Sequence, residues 1–167
     1  MINKLRQNYS LSLWIVRLTF VATFVLANWR QSATILAMMM GVNDIGIALL
    51  SCLFSAVIAL VIYPFIINLL LNLFSIYCVP RAEYVLLALI YTALAQLIAG
   101  VLGCIQFFTP VVATWGAVLF RFVGSTVAMI LFYRKTAELY FNHQTRVHYF
   151  RNVAIVYFVL MILGVFA

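Results

Sequence analysis

Arg121 has the strongest claim to chemistry in this sequence, because it interrupts an apolar run, 111–133, that carries no other charge. A guanidinium at that depth in a bilayer costs at least ~2.5 kcal/mol unless it finds partners. At about 100° per residue on a helix, Ala113, Ala117, Gly124, Ser125 and Ala128 share its side. Small residues mark the faces on which membrane helices pack, so Arg121 is expected to face other helices rather than lipid. Counted from the short Thr109-Pro110 link, Gln96 falls at nearly the same depth on the preceding run and is the expected partner. Arg121, Gln96 and Ser125 thus form a candidate intramembrane polar site. It is either a structural arginine satisfied within the bundle or a receiver of a lipid phosphate, a partner's carboxylate or an anionic substrate.

The other cations lie closer to the ends of the apolar runs. The stretch 133–151 mixes Arg134, Lys135, Arg146, His148 and Arg151 with tyrosines and phenylalanines. That composition suits an anionic lipid surface or the docking of a partner protein. Arg17, about two turns into the first apolar run, can snorkel to the headgroups. His143 and His148 have no carboxylate or cysteine cluster beside them in sequence, which leaves little basis for a metal site. Cys52, Cys78 and Cys104 are scattered singly through apolar sequence and read as small buried residues. No nucleophile elbow, HExxH or Walker loop occurs, and the only acids are Asp44, Glu83 and Glu138. The chain is therefore expected not to be an enzyme, with no catalytic residue, no metal and no cofactor.

The elements that must position these residues follow from composition. Of 167 residues, 68% are hydrophobic and 8% charged. Too few charges remain to make a soluble surface, so lipid must be the solvent for most of the outside. A net charge of +7 would suggest nucleic acid in a soluble protein. Here most of the cations sit between apolar spans, and orientation and anionic headgroups account for them instead.

Five apolar runs reach the ~16–26 residues that cross or nearly cross a hydrocarbon core of ~30 Å. They cover 11–28, 45–63, 83–108, 111–133 and 152–167. The fold class is all-α, a single polytopic transmembrane helix bundle of five spans, with four or six still open. Segment 31–41 is either interfacial or an extension of the first span. Segment 65–78, beyond Pro64, is either a kinked continuation of the second or an interfacial piece. Asn43 or Asp44 caps the second helix. A cleaved signal peptide is the competing reading of the first run, and Arg17 argues against it. With the N-terminus in the cytoplasm, inside segments hold Lys4, Arg6, Arg81, Arg134, Lys135, Arg146 and Arg151, and outside segments hold Arg30. That asymmetry sets the orientation.

Small residues recur at helical spacing. Ala95, Ala99 and Gly103 line the third run, Ala117, Gly124 and Ala128 the fourth, and Ala48, Cys52, Ser55 and Ala59 the second. Such ridges permit close helix packing. Asn68 and Asn72 share a face beyond Pro64 and read as packing or interfacial amides.

From about residue 55 onward the layout resembles the Yip domain family of small five-span membrane proteins. The matching features are the long apolar segment 55–77, the break at Pro80-Arg81, and Tyr91, Gly100 and Gly103 in the third run. Trp115 after the tight turn, the exit Tyr133-Arg134-Lys135 and a last span without a polar tail complete the match. Ala95-Gln96 stands where a proline is usual in the family. The long N-terminal region of eukaryotic members is missing, which points to a bacterial-type member in the inner membrane. The resemblance implies a membrane adaptor that binds other proteins and supplies no catalytic residues. The expected role is thus an accessory or scaffold subunit of a larger membrane complex, such as a transporter. Its expected partners are anionic membrane lipids and other integral membrane subunits. The alternative is a transport or lipid-handling protein that binds its anionic ligand near Arg121.

Overall fold

The structure, a computed structural model, describes residues 9–41, 44–74, 80–105, 115–139 and 147–163. All secondary structure among them is helical: α1 (Tyr9–Met40), α2 (Ile45–Leu73), α3 (Arg81–Ile105), α4 (Trp115–Leu139) and α5 (Val147–Leu163). Three stretches, Leu11–Arg30 in α1, Ile45–Leu73 in α2 and Arg81–Cys104 in α3, are long and apolar enough to cross a membrane. The chain is accordingly a helical membrane protein.

Both open segments continue their helices as far as Met40 and Leu73, and residues 75–78 lie outside the described residues. Residues 31–40 prolong α1, which at ~1.5 Å per residue makes it about 48 Å long. Gly41, at φ 65°, ends it in the left-handed conformation, its N–H donating to Ala37 O at 3.1 Å. Asp44 then caps α2, its Oδ1 accepting from Gly46 N at 2.6 Å and Ile47 N at 3.3 Å. Asn43, the other candidate cap, lies outside the described residues. Pro64 does not break α2, which runs on to Leu73. In lipid, leaving the helix would strand several backbone groups, whereas the proline removes one donor.

The bounds of the last two helices differ from the apolar runs. α4 continues past Tyr133 through Arg134 and Lys135 to Leu139. Thr136 is fully buried there, its hydroxyl donating to Phe132 O at 2.9 Å, and Leu139 packs on the core. α5 begins at Val147, ahead of its apolar run. The basic stretch is therefore helical at both ends. The Thr109-Pro110 turn and residues 140–146 lie outside the described residues.

α3 is the central helix: 56% of its apolar stretch is buried, against 17% for α1 and 22% for α2. It packs most extensively on α4 and α1. One core cluster joins Ile67 and Leu71 of α2, Tyr84 and Ala88 of α3, Phe132 of α4 and Val153, Ala154 and Phe158 of α5. The other joins Val16 and Phe20 of α1 with Ala59 of α2 and Leu86, Leu89 and Ala93 of α3.

Aromatic rings link all five helices. Phe20 meets Tyr63 edge-on at 5.6 Å, Tyr63 meets Tyr157 at 6.0 Å, and Tyr157 meets Phe158 at 5.2 Å. Phe158 then reaches Phe132 at 6.2 Å, and Phe132 meets Tyr84 at 5.2 Å. Such pairs add ~0.5–1.5 kcal/mol each beyond their burial.

The inward face of α2 is Ala48, Cys52, Ala56 and Ala59, not the ridge through Ser55. Ser55 faces outward and donates its hydroxyl to Ser51 O at 2.9 Å. That bond lets it sit in an apolar surrounding while Ala56, with nothing to satisfy, fills the contact.

Candidate functional site

Arg121 lies in the second turn of α4 and is turned toward α1. Its Nη2 donates to Asn28 Oδ1 at 2.8 Å and to the Ala27 carbonyl at 3.4 Å. Asn28 is held for this role, because its own Nδ2 donates to Phe24 O at 2.7 Å. Asn28 closes the apolar part of α1, so Arg121 sits toward that end of the bundle rather than at its middle.

Gln96, the partner expected from sequence, is engaged elsewhere. Its Oε1 accepts from Thr23 Oγ1 on α1 at 3.1 Å. The expectation rested on depth along the α3–α4 hairpin, but helix rotation decides the pairing. Both Gln96 and Arg121 point at α1, one to Thr23 and the other to Asn28. Ser125 is buried one turn beyond Arg121, next to Gly124.

A third buried polar pair ties α3 to α5, with the hydroxyls of Thr92 and Tyr157 2.8 Å apart. Tyr157→Phe would leave Thr92 with only its bond to Ala88 O at 2.7 Å. A loss of about 1 kcal/mol is expected, read from thermal unfolding in detergent.

The small-residue ridges serve these same contacts. A Cβ on Gly124 would meet the Ala95 carbonyl oxygen at 2.5 Å, so α4 rests directly on the backbone of α3. Ala95, Ala99 and Ala128 are buried, and Gly100 seats Leu26 of α1. The ridge ends before Gly103, whose Cβ would meet no described atom of another element within 4 Å. The side chain of Ala117 lies outside those described. Cys52 is buried and Cys104 exposed, and Cys78 lies outside the described residues.

The basic residues collect at the other end of the bundle. Arg81 opens α3, Arg134 and Lys135 lie near the end of α4, and Arg151 is in the second turn of α5; Arg134 and Arg151 are exposed. Lys135 Nζ pairs with Glu138 Oε2 at 2.8 Å. That contact holds the ammonium above its usual range and the Glu138 carboxyl below its own. Arg146 and His143 lie outside the described residues. His148 is in the first turn of α5, with its side chain outside those described. Among the described residues no group of three or more His, Cys, Asp or Glu could hold a metal.

A cleft of about 230 Å³ opens between α1, α2 and α3 near this basic end. Arg17, Asn68 and Arg81 supply its polar lining, and Leu13, Leu60 and Leu89 lie among its apolar walls. The Arg17 guanidinium lies 5.7 Å from the centre of the Trp14 ring, one turn back toward the start of α1. Arg81 Nη2 donates to Asn72 Oδ1 at 2.8 Å. Sequence had separated these residues, because only the side-by-side packing of α1 and α3 brings Arg17 and Arg81 into one cleft.

No protein-family model, no curated protein and no solved structure matches this chain.

Proposed function

We propose that this chain is a five-span, N-terminus-in protein of a bacterial inner membrane that acts by binding, as a non-enzymatic adaptor or accessory subunit of a larger membrane complex. The observation that carries this is the mutual pairing of three sets of interior polar groups across the helices. Arg121 is taken by Asn28, Gln96 by Thr23, and Thr92 by Tyr157. Groups tied to one another across helices hold a bundle together and leave little to offer a passing substrate. The rival reading, with an anionic substrate received at Arg121, has less support for the same reason. The layout resembling the Yip domain family points to the same kind of role.

The small-residue faces of α2, α3 and α4 are largely occupied within the bundle, so the partner is assigned to the basic end. Arg134 and Arg151 are exposed there, where cations suit an acidic loop of another subunit or an anionic leaflet. The test is extraction of the tagged protein in mild detergent after crosslinking in its own membrane. A membrane subunit should be recovered in fixed ratio. The double reversal Arg134→Glu/Arg151→Glu should lower that recovery about tenfold, the equivalent of ~1.4 kcal/mol. Recovery of the chain alone, or recovery indifferent to the reversal, would sink the adaptor reading.

A further inference from the structure

The cleft between α1, α2 and α3 holds two arginines and an amide in a setting that ordinary helix packing does not require. We propose that it binds the headgroup of one phospholipid, with the phosphodiester against Arg17 and Arg81 and a donor of the head, an ammonium or a hydroxyl, at Asn68. This rests on the membrane reading of the bundle and not on the adaptor role.

Asn68 Oδ1 is buried without a hydrogen-bond partner, and Asn68 lines the cleft. A buried acceptor in that state wants a donor from outside the fold. Pro64, one turn earlier on the same lining, has no N–H, so the Leu60 carbonyl also lacks its usual intrahelical donor. The cleft therefore offers acceptors at its α2 wall and cations on its α1 and α3 walls. Arg81 is steadied by Asn72.

The ligand must satisfy both sets of groups. A phosphodiester meets the guanidiniums by paired N–H bonds. An ethanolamine or glycerol head adds the donor that Asn68 lacks, whereas a choline head has none to give. The remaining walls, Leu13, Leu60, Val85, Leu86 and Leu89, are aliphatic. They suit the glycerol backbone and first methylenes of an acyl chain, which an inorganic anion would leave uncovered. The volume of about 230 Å³ is that of a head and its immediate stem, not of a whole lipid. The chains would lie outside against α1 and α2, whose outward faces carry bulky apolar residues such as Leu18, Val61 and Phe65.

The experiment is native mass spectrometry of the full chain in mild detergent, titrated separately with phosphatidylethanolamine, phosphatidylglycerol, phosphatidylcholine and inorganic phosphate. One phosphatidylethanolamine or phosphatidylglycerol per chain is expected, bound about tenfold tighter than phosphatidylcholine. Arg17→Gln should weaken both by about tenfold, and Arg17→Lys by less. Asn68→Leu should abolish the preference over choline while leaving the helical circular dichroism unchanged. Equal retention of all three lipids by the wild type, or retention unchanged by both Arg17→Gln and Asn68→Leu, overturns the site. Inorganic phosphate that displaces the lipid shows a free-anion site and overturns it too. Recovery of a partner through Arg134 and Arg151 is read on other residues, so either proposal can fail alone.

Discussion

Gly124→Leu should be among the most damaging single substitutions in the bundle, lowering stability by about 3 kcal/mol. The reason is the direct contact of α4 with the α3 main chain. A Cβ at this position would lie 2.5 Å from the Ala95 carbonyl oxygen, 3.4 Å from its carbon and 3.5 Å from Ala99 N. None of those atoms can rotate away, so the helices must separate. Separation forfeits dispersion contacts that hold membrane helices together where no hydrophobic effect operates between them. Gly124→Ala should also destabilise. Its gain of up to ~1 kcal/mol in helix propensity is outweighed by the same backbone overlap. Gly103 provides the control. With nothing within 4 Å among the described residues, Gly103→Ala should be neutral or slightly stabilising. Unfolding of the three variants in mixed micelles by a denaturing detergent ranks them. Similar midpoints for Gly103→Ala and Gly124→Ala would show that α4 does not sit on α3 as described.

The contrast between these glycines shows how much of the fold can be read from residues. The apolar runs were legible because transfer from water to lipid outweighs every other contribution, and it depends on composition and length alone. Small residues at spacings of three and four marked the inward sides because they let helices pack closely in lipid. They could not tell Gly124, which another backbone touches, from Gly103, which no described backbone approaches. Nor could they choose between Ser55 and Ala56, which are neighbours about 100° apart around α2, one facing outward and the other inward. The Pro64 segment followed the cost of leaving a helix in lipid, which a proline signal taken alone understates.

The polar partners were less legible. Thr23, Asn28, Thr92 and Tyr157 each look like minor interruptions of an apolar run. Their roles depend on the rotation of α1 and α5 about their own axes, which hydropathy leaves free. Asn28 did carry a signal, since an amide at the end of an apolar span needs a hydrogen-bond partner. Depth along the hairpin pointed instead to Gln96. The cleft at Arg17 and Arg81 was out of reach for a different reason. Its residues are far apart in sequence, and only the way α1 and α3 lie side by side, seen in the Thr23–Gln96 bond and the Leu26–Gly100 contact, brings them together.

The second large effect belongs to Asn28. Asn28→Leu should cost about 3 kcal/mol, because it leaves the part-buried Arg121 guanidinium with only the Ala27 carbonyl at 3.4 Å. Arg121→Leu should cost less, about 1–2 kcal/mol, since it removes the charge and strands only a neutral amide oxygen. The double variant Asn28→Leu/Arg121→Leu should recover much of the loss. Replacing a whole buried polar pair by aliphatic side chains is often close to neutral, whereas removing one member strands the other. A coupling energy of at least ~1 kcal/mol from the four unfolding midpoints is therefore expected. Simple additivity would mean that Asn28 is not what satisfies Arg121. The same double variant separates structure from function. If Arg121 only locks α4 to α1, a bundle restored by two leucines should hold its membrane partner as well as the wild type does. A variant that is fully stable yet recovers no partner would place Arg121 in the binding surface itself, and the interior pairing would then be the resting state of a functional residue.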